Sequence, residues 1–373
     1  MAQRPPLIPI IEALPLSTPF VGPEAQERRR GKPFIARLGA NESGFGPSPK
    51  AVEAMRRSAP EMWKYCDPEN HELRQALAAH YGLDAGNFAI GSGIDGLLEG
   101  TCRQYVQEGT PVITSHGAYP TFNYHVSVCG GVVHTIPYRD DREDLDALLD
   151  AVNRTGAPMV YISNPDNPMG SWWSAGDIMA FADALPETTL FILDEAYCET
   201  GPADALPEID VSRPNFIRMR TFSKAYGLAG MRCGYAIGET GLIGNFNKVR
   251  NQYGMTRMAQ ETCVAALADQ DWLAHVVGAV AACRTRIAGI AEANGLRPLP
   301  SATNFVTIDC RRDGAYALRV MEELLARDIF IRKPMAPGLD RCIQIALIDG
   351  EDTAHARQVD AQTAMERIRM PFQ

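Results

Sequence analysis

The chain has 373 residues, of which 46% are hydrophobic and 22% charged, and its formal net charge is -9. At roughly 150 residues per domain, this length predicts two to three domains and excludes a small module held together by disulfides or a metal. The acidic balance argues against nucleic acid or an anionic membrane as a partner, and the composition excludes a disordered chain.

The predicted elements begin after a proline- and glycine-rich opening, which we expect to form an arm over residues 1–49. A large domain is predicted over residues 50–255, because short apolar runs alternate there with helical patterns. That alternation is typical of a mainly parallel sheet with helices on both faces. The seven runs are residues 87–90, 112–114, 132–137, 159–163, 190–193, 216–219 and 234–237. Ligands bind beyond the carboxyl ends of such strands, so the polar residues after each run are the candidates for function.

The pattern changes after residue 238, where long helical stretches follow one another. Helices are predicted at about residues 242–253, 256–268, 272–294 and 316–327, and strands at 304–309, 329–332 and 342–347. This order predicts a smaller α+β domain at the C-terminus, over residues 256–373.

The nine cysteines are scattered and form no C-x-x-C pair, which is typical of reduced thiols in a cytosolic protein without a metal site. The apolar opening is interrupted by prolines and Glu12, so it does not fit a signal peptide. We expect no apolar run to be long enough to span a bilayer. A cytoplasmic location without a membrane partner is therefore predicted.

A glycine-rich turn at residues 91–96 follows the first apolar run and opens a helix, which matches the dinucleotide-binding pattern G-x-G-x-x-G. The next run ends in Ser115, without the acidic residue that would hold a ribose. The backbone N–H groups of Gly93, Ile94 and Asp95 at the helix N-terminus would instead bind one phosphate. A tight turn that merely needs glycines explains this segment equally well.

Two further polar groups follow strands in the middle of the large domain. The loop at residues 164–170 contains two Asn-Pro turns, and its Asn167 amide could donate a hydrogen bond to a ligand oxygen, although a rigid turn alone is an equally good interpretation. Tyr119 could stack on a ligand ring or simply pack.

Charged residues follow the next two strands. Asp194 comes directly after a buried run, where a carboxylate needs a cationic or protonated partner, unless it caps a helix or turn. In the glycine-rich segment after residue 221, Ser223 and Arg232 could bind a phosphate. Lys224 could be a nucleophile whose pKa falls when it is buried near another cation, although a single lysine on a loop is usually solvated.

These motifs in this order resemble the class I/II pyridoxal-phosphate aminotransferases, and most of all their histidinol-phosphate branch. The matching segments are Gly-Ser-Gly-Ile-Asp (91–95), Tyr119, Asn-Pro-Asp-Asn-Pro-Met-Gly (164–170), Asp-Glu-Ala-Tyr (194–197) and Ser-Lys-Ala-Tyr-Gly-Leu-Ala-Gly-Met-Arg-Cys-Gly-Tyr (223–235). The resemblance implies an α/β enzyme of fold-type I, with a seven-stranded large domain and an α+β C-terminal domain. It also implies pyridoxal 5'-phosphate as the cofactor and the transfer of an amino group from an amino acid or amino-alcohol phosphate to a 2-oxo acid.

The resemblance also implies the residue roles. Lys224 would form the Schiff base with the cofactor and move the substrate's proton, and Asp194 would keep the pyridine nitrogen protonated. Asn167 and Tyr197 would hydrogen-bond the phenolic oxygen, and Tyr119 would stack on the ring. The phosphate would be held by Ser223, Arg232 and the N–H groups of Ile94 and Asp95. Tyr65 would reach the phosphate bound by a neighbouring subunit, which implies a homodimer with shared active sites.

The sequence departs from the family on the substrate side. Gln344 stands where the family usually has an arginine that grips the substrate's anion, so about 1.5–3 kcal/mol of charge-assisted binding per hydrogen bond is lost. Arg332 matches the second anion-binding arginine of the branch, and Asn41 is a further candidate for substrate binding. Arg341 should point to the opposite face of the strand from Gln344. We therefore expect an amino donor other than histidinol phosphate or an ordinary dicarboxylic amino acid.

Two alternatives stay open at this point. The same fold and cofactor could support a lyase, decarboxylase or cyclase that acts on an amino acid. A protein that binds the cofactor without catalysis is the other alternative, although it would have no reason to keep Lys224, Asp194 and Arg232 together.

Overall fold

The computed structural model describes residues 4–16 and 21–347. The strands in these ranges are β1 (Ala36–Arg37), β2 (Phe88–Gly91), β3 (Pro111–Ser115), β4 (Val132–Ile136), β5 (Met159–Ser163), β6 (Leu190–Asp194), β7 (Phe216–Thr221), β8 (Gly234–Ile237), β9 (Arg297–Pro298), β10 (Phe305–Asp309), β11 (Ile329–Phe330) and β12 (Cys342–Ala346). The α-helices are α1 (Pro9–Glu12), α2 (Pro23–Arg30), α3 (Pro49–Ser58), α4 (His71–Tyr81), α5 (Gly93–Tyr105), α6 (Pro120–Val128), α7 (Leu145–Thr155), α8 (Ala175–Ala184), α9 (Thr240–Gly244), α10 (Arg257–Leu267), α11 (Gln270–Ala293) and α12 (Gly314–Ala326).

A seven-stranded sheet forms the centre of the large domain, in the order β2-β8-β7-β6-β5-β3-β4. Neighbouring strands from β4 to β7 are parallel, and β8 runs antiparallel to both β7 and β2. All seven predicted runs are strands of this sheet, and each lies within two residues of the observed element. The predicted α/β class with a mainly parallel sheet is therefore confirmed.

Helices cover both faces of the sheet, because side chains along each strand point alternately to one face and the other. In β5, Met159 and Tyr161 pack with residues of α5 and α6, whereas Val160 and Ile162 pack with residues of α7 and α8. Burial on both faces explains why these strands appear in the sequence as nearly continuous apolar runs. The carboxyl ends of β3 to β7 meet at one edge of the sheet, where the site lies.

The small domain contains the antiparallel sheet β12-β10-β9, with α11 and α12 packed against it. Two features differ from the predicted domain limits. Residues of the predicted arm belong to this core, because β1 pairs with β11 and Leu38 is buried there. Helix α10, predicted at the start of the small domain, packs on α3 and α4 of the large domain instead.

The prediction for one segment was wrong. The helix expected over residues 242–253 is only the short α9, followed by a 3-10 turn at Asn245–Lys248. Helix α11 has 24 residues and, by length and composition alone, is long and apolar enough to cross a membrane. Its buried residues Val276, Val280 and Ile287 lie on one face and pack in the small-domain core, as expected of an amphipathic helix that covers one side of a domain.

Candidate functional site

A cavity of about 320 Å³ opens at the carboxyl edge of the large sheet. Every predicted site residue except Tyr65 and Gln344 lines it, namely Asn41, Ile94, Asp95, Tyr119, Asn167, Asp194, Tyr197, Ser223, Lys224, Arg232 and Arg332. These residues come from both domains and from loops far apart in the chain. The fold therefore brings eleven of the predicted residues to one site.

One part of the cavity is built to receive an anion. Arg232 donates hydrogen bonds to Ser223 Oγ at 3.5 Å and to Asp95 Oδ2 at 3.3 Å, so its guanidinium lies beside the start of α5. Gly93 is needed there, because its φ is +74° and a Cβ would lie 2.5 Å from Arg232 Nη2. The N-terminal N–H groups of α5, the Ser223 hydroxyl and the guanidinium together suit a phosphate.

Asp194 is a buried carboxylate at the end of β6. It accepts hydrogen bonds from the Tyr161 hydroxyl at 2.7 Å and from the Ala196 N–H at 2.9 Å. Burial nevertheless raises the pKa of Asp194 to about 6, so the anion gains from a cationic partner. The sequence reasoning missed Tyr161, although a tyrosine hydroxyl inside an apolar run requires a buried partner and could have signalled it.

Lys224 lines the same cavity, and its ammonium donates to the backbone oxygen of Asn41 at 3.0 Å. Its Nζ lies 5.3 Å from the centroid of the Tyr197 ring. Burial lowers the pKa of Lys224 to about 8, and the nearby Arg332 contributes to that lowering. About a tenth of this amine is therefore uncharged at pH 7 and able to act as a nucleophile, far more than for an ordinary lysine.

Two tyrosines complete the lining. The Tyr197 hydroxyl accepts a hydrogen bond from Asn41 Nδ2 at 3.3 Å, and burial raises the pKa of this phenol. Burial also raises the pKa of Tyr119 to about 12, so it stays neutral. Both rings can therefore act as hydrogen-bond donors or packing surfaces near Lys224.

The structure corrects the expectation that Gln344 faces the substrate. Gln344 is only 2% exposed and lies outside the cavity lining, with its Nε2 bonded to Asn167 Oδ1 at 3.0 Å and to the backbone oxygen of Pro168 at 3.3 Å. Arg341 does not replace the missing arginine, because it pairs with Asp141 at 2.6 Å and Asp309 at 3.2 Å.

Tyr65 also lies outside the cavity of its own chain. Its side chain is 80% exposed, and its ring lies 5.1 Å from that of Tyr253. Met62 and Trp63, which precede it closely in the chain, are exposed apolar side chains as well. Within a single chain, Tyr65 therefore contributes nothing to the anion site.

Two buried carboxyl groups that the sequence reasoning missed lie behind the site. The Ser115 hydroxyl donates to Glu143 Oε1 at 2.7 Å, and the Tyr138 hydroxyl donates to Asp166 Oδ1 at 2.8 Å. Neither carboxyl forms an ion pair within the described ranges. Ser115 follows a predicted strand, which is the sequence signal that pointed to this region.

The residues present fit pyridoxal 5'-phosphate. The arginine, the serine and the start of α5 match its phosphate, the buried Asp194 matches its basic ring nitrogen, and Lys224 supplies an amine of lowered pKa for its aldehyde. Asn41 Oδ1 and Asp95 Oδ1 are buried without a partner in the part of the chain that the structure describes. Fold and site together define a pyridoxal-phosphate-dependent enzyme of fold-type I.

Comparison with known proteins gives the family. The sequence model of aminotransferase class I and II matches residues 35–359. The chain belongs to this family and is a pyridoxal-phosphate-dependent aminotransferase.

Several bacterial proteins that are similar to this chain are named histidinol-phosphate aminotransferase. Histidinol-phosphate aminotransferase 1 of Mesorhizobium japonicum is 35% identical over 86% of this chain and 88% of its own length. The histidinol-phosphate aminotransferase of Bacillus subtilis is 32% identical over 87% of this chain and 90% of its own length. The crystal structure of histidinol-phosphate aminotransferase from Sinorhizobium meliloti, in complex with pyridoxal-5'-phosphate, is 52% identical with a TM-score of 0.91, over 97% of this chain and 98% of that chain.

Proposed function

We propose that this aminotransferase moves an amino group between a donor and a 2-oxo acid that each present a single anionic group to Arg332. The observation that carries this proposal is the position of Arg332 in the cavity lining near Lys224, together with the roles of Arg232, Arg341 and Gln344. Arg232 belongs to the anion site beside α5, Arg341 is paired with Asp141 and Asp309, and Gln344 carries no charge. Arg332 lines the cavity close enough to Lys224 to lower the pKa of that amine, and is therefore placed to bind the substrate's anion.

The cofactor, when bound, supplies a ring that accepts electrons from the carbon carrying the substrate's amino group. In this proposal Asp194 holds a proton on the ring nitrogen, since a neighbouring cation favours its carboxylate form. Tyr161 and the Ala196 N–H orient that carboxylate through two hydrogen bonds. Asn167 and Tyr197 bind the phenolic oxygen, and Tyr119 packs against the ring.

Lys224 acts as the proton carrier. Its Nζ, with a pKa of about 8, would accept the proton from the substrate's Cα and pass it to the cofactor carbon C4′, which receives the amino nitrogen. Asn41 supports this amine through its backbone oxygen and contacts Tyr197 through its side chain. Arg332 binds the substrate's anion and lowers the pKa of Lys224 until that anion arrives.

We also propose a cytoplasmic homodimer. Tyr65 is exposed, as are the nearby apolar side chains of Met62 and Trp63. Tyr65 could therefore contact the anion site of a second copy of this chain. All nine cysteines are free thiols, which suits a reducing compartment. Light scattering should give a dimer, and Tyr65→Ala should weaken pyridoxal 5'-phosphate binding without changing the fold.

The donor can be identified from the spectrum of the purified protein with its cofactor. Histidinol phosphate, glutamate, aromatic amino acids and guanidino amino acids are added separately, and the conversion of the bound cofactor to its amino form is followed. Donors with one anionic group should convert the cofactor faster than glutamate. Fastest conversion by glutamate would overturn the proposed selectivity.

Gln344→Arg is the matched variant for this experiment. It should not speed up conversion by the donor that the wild-type protein prefers, because that donor has no second anion to pair with the new guanidinium. A large gain would show that an arginine is simply missing at this position. Lack of cofactor binding by the wild-type protein would overturn the proposed residue roles altogether.

A further inference from the structure

Gln344 contacts two acceptors in the loop that carries Asn167. Its side chain is buried between β12 and this loop, and Nε2 lies 3.0 Å from Asn167 Oδ1 and 3.3 Å from the backbone oxygen of Pro168. The two residues Gln344 and Asn167 are 177 positions apart in the chain. Both hydrogens of the Gln344 amide are therefore used within the protein.

The backbone oxygen of Pro168 fixes the orientation of both amides. A carbonyl oxygen can only accept a hydrogen bond, so the Gln344 atom that faces it must be Nε2. The same Nε2 faces Asn167, whose nearest atom must then be the acceptor Oδ1. The Nδ2 group of Asn167 makes no hydrogen bond to protein within residues 4–16 and 21–347, and Asn167 lines the cavity.

We propose that Gln344 is a positioning residue that holds the Asn167 amide with its Nδ2 donor towards the cofactor's phenolic oxygen. It does not bind substrate. This inference rests on the proposed role of Asn167 as a ligand of that oxygen.

The backbone of Gln344 is also hydrogen-bonded to that of Arg332, the residue proposed to bind the substrate's anion. Its N–H donates to the backbone oxygen of Arg332 at 2.8 Å, and its own oxygen accepts from the Arg332 N–H at 3.2 Å. One residue of β12 thus holds the backbone of the proposed anion-binding arginine and the side chain of Asn167. Replacing an arginine by glutamine at this position removes a charge but keeps the two donors that Asn167 and Pro168 require.

Three substitutions of Gln344 separate the effect of hydrogen-bond donation from the effects of side-chain charge and size. Gln344→Glu has nearly the same shape but cannot donate, so Asn167 should turn over, give Nδ2 to the new carboxylate and present Oδ1 to the cavity. Gln344→Met removes the donors without adding a charge. Gln344→Arg keeps donors for both acceptors.

The readouts are cofactor affinity and the pH dependence of the bound cofactor's spectrum. Pyridoxal 5'-phosphate is titrated into the apoprotein, and the pH midpoint of the near-ultraviolet to visible absorbance change is measured. Gln344→Glu and Gln344→Met should weaken binding about tenfold or more and raise the midpoint, because a lost donor destabilises the phenolate. Gln344→Arg should keep both values within about twofold of the wild type.

Thr307→Val is the matched control. Thr307 is the β10 partner of Gln344, is fully buried and donates to the same Pro168 oxygen at 2.6 Å, without a hydrogen bond to Asn167. It should leave the pH midpoint unchanged. A shift as large as that of Gln344→Met would overturn the proposal, because general loosening of the loop would then explain both.

A double-mutant cycle tests whether Gln344 acts through Asn167. In an Asn167→Ala background, Gln344→Met should cause no further change in affinity or midpoint. Additive effects, or a Gln344→Met single variant that matches the wild type, would overturn the inference. Failure of the proposed function has a different signature, since the wild-type protein itself would then not bind pyridoxal 5'-phosphate.

Discussion

Replacing Glu143 by glutamine should stabilise the protein as the pH rises. Glu143 is 2% exposed, and its Oε1 accepts a hydrogen bond from the Ser115 hydroxyl at 2.7 Å. Burial, and the nearby carboxyl of Asp166, raise the pKa of Glu143 well above its ordinary value. The fold therefore favours the neutral form of this carboxyl group, and a glutamine amide of the same shape can replace it.

The sign and size of the effect follow from the difference between the two states. Because the pKa is raised in the folded state, the stability that Glu143 contributes is fully present below the unfolded value of about 4.3 and is lost as the pH rises towards the folded value. The loss is at most about 1.4 kcal/mol per pH unit, and it occurs between the unfolded and the folded pKa of the group. The glutamine side chain of the variant cannot ionise, so the variant does not lose this stability.

The assay is calorimetric melting of the holoenzyme and its variants at pH 5, 6 and 7. For a chain of 373 residues, an unfolding entropy of roughly 2.1 cal/mol/K per residue converts this loss into a Tm gain of up to about 2 °C per pH unit for Glu143→Gln. Glu187→Gln, at an exposed position, should show a difference that does not vary with pH. A Glu143→Gln variant that is less stable than the wild type by a constant amount would refute the reasoning, since Glu143 would then be ionised in the fold.

Three further predictions concern the site. The rate at which pyridoxal 5'-phosphate combines with the apoprotein should rise with pH, with a midpoint near pH 8, because the pKa of Lys224 is lowered to about 8. Stopped-flow absorbance measures this rate, and a midpoint above pH 10 would contradict the prediction. Tyr161→Phe removes a hydrogen bond that lowers the pKa of Asp194, so that pKa should rise and kcat should fall about tenfold. An unchanged kcat would show that the Tyr161 hydrogen bond is not needed for the function of Asp194. Gly93→Ala should weaken cofactor binding about tenfold or more, because the new Cβ would lie 2.5 Å from Arg232 Nη2 and displace the guanidinium. Equilibrium titration with pyridoxal 5'-phosphate measures the affinity. An affinity equal to that of the wild type would show that cofactor binding does not depend on the present position of Arg232.

The amino-acid sequence alone determined the large sheet and most of the site. Its strands are buried on both faces, so they appear as apolar runs whose limits can be read directly, as in Met159–Ser163. Polar residues that follow such runs must meet at one edge of a parallel sheet, which is why Asn167, Asp194 and Lys224 could be assigned to one site before their distances were known.

Only the tertiary structure decided which side chains act together across long separations. The bond from Gln344 to Asn167 depends on how β12 packs against a loop of the other domain, and no local pattern encodes that contact. The raised pKa of Glu143 likewise depends on burial without an ion pair in the described residues, which follows from packing and not from residue type. Helix α10 shows the same limit, since its period predicts a helix but not the domain against which its apolar face packs.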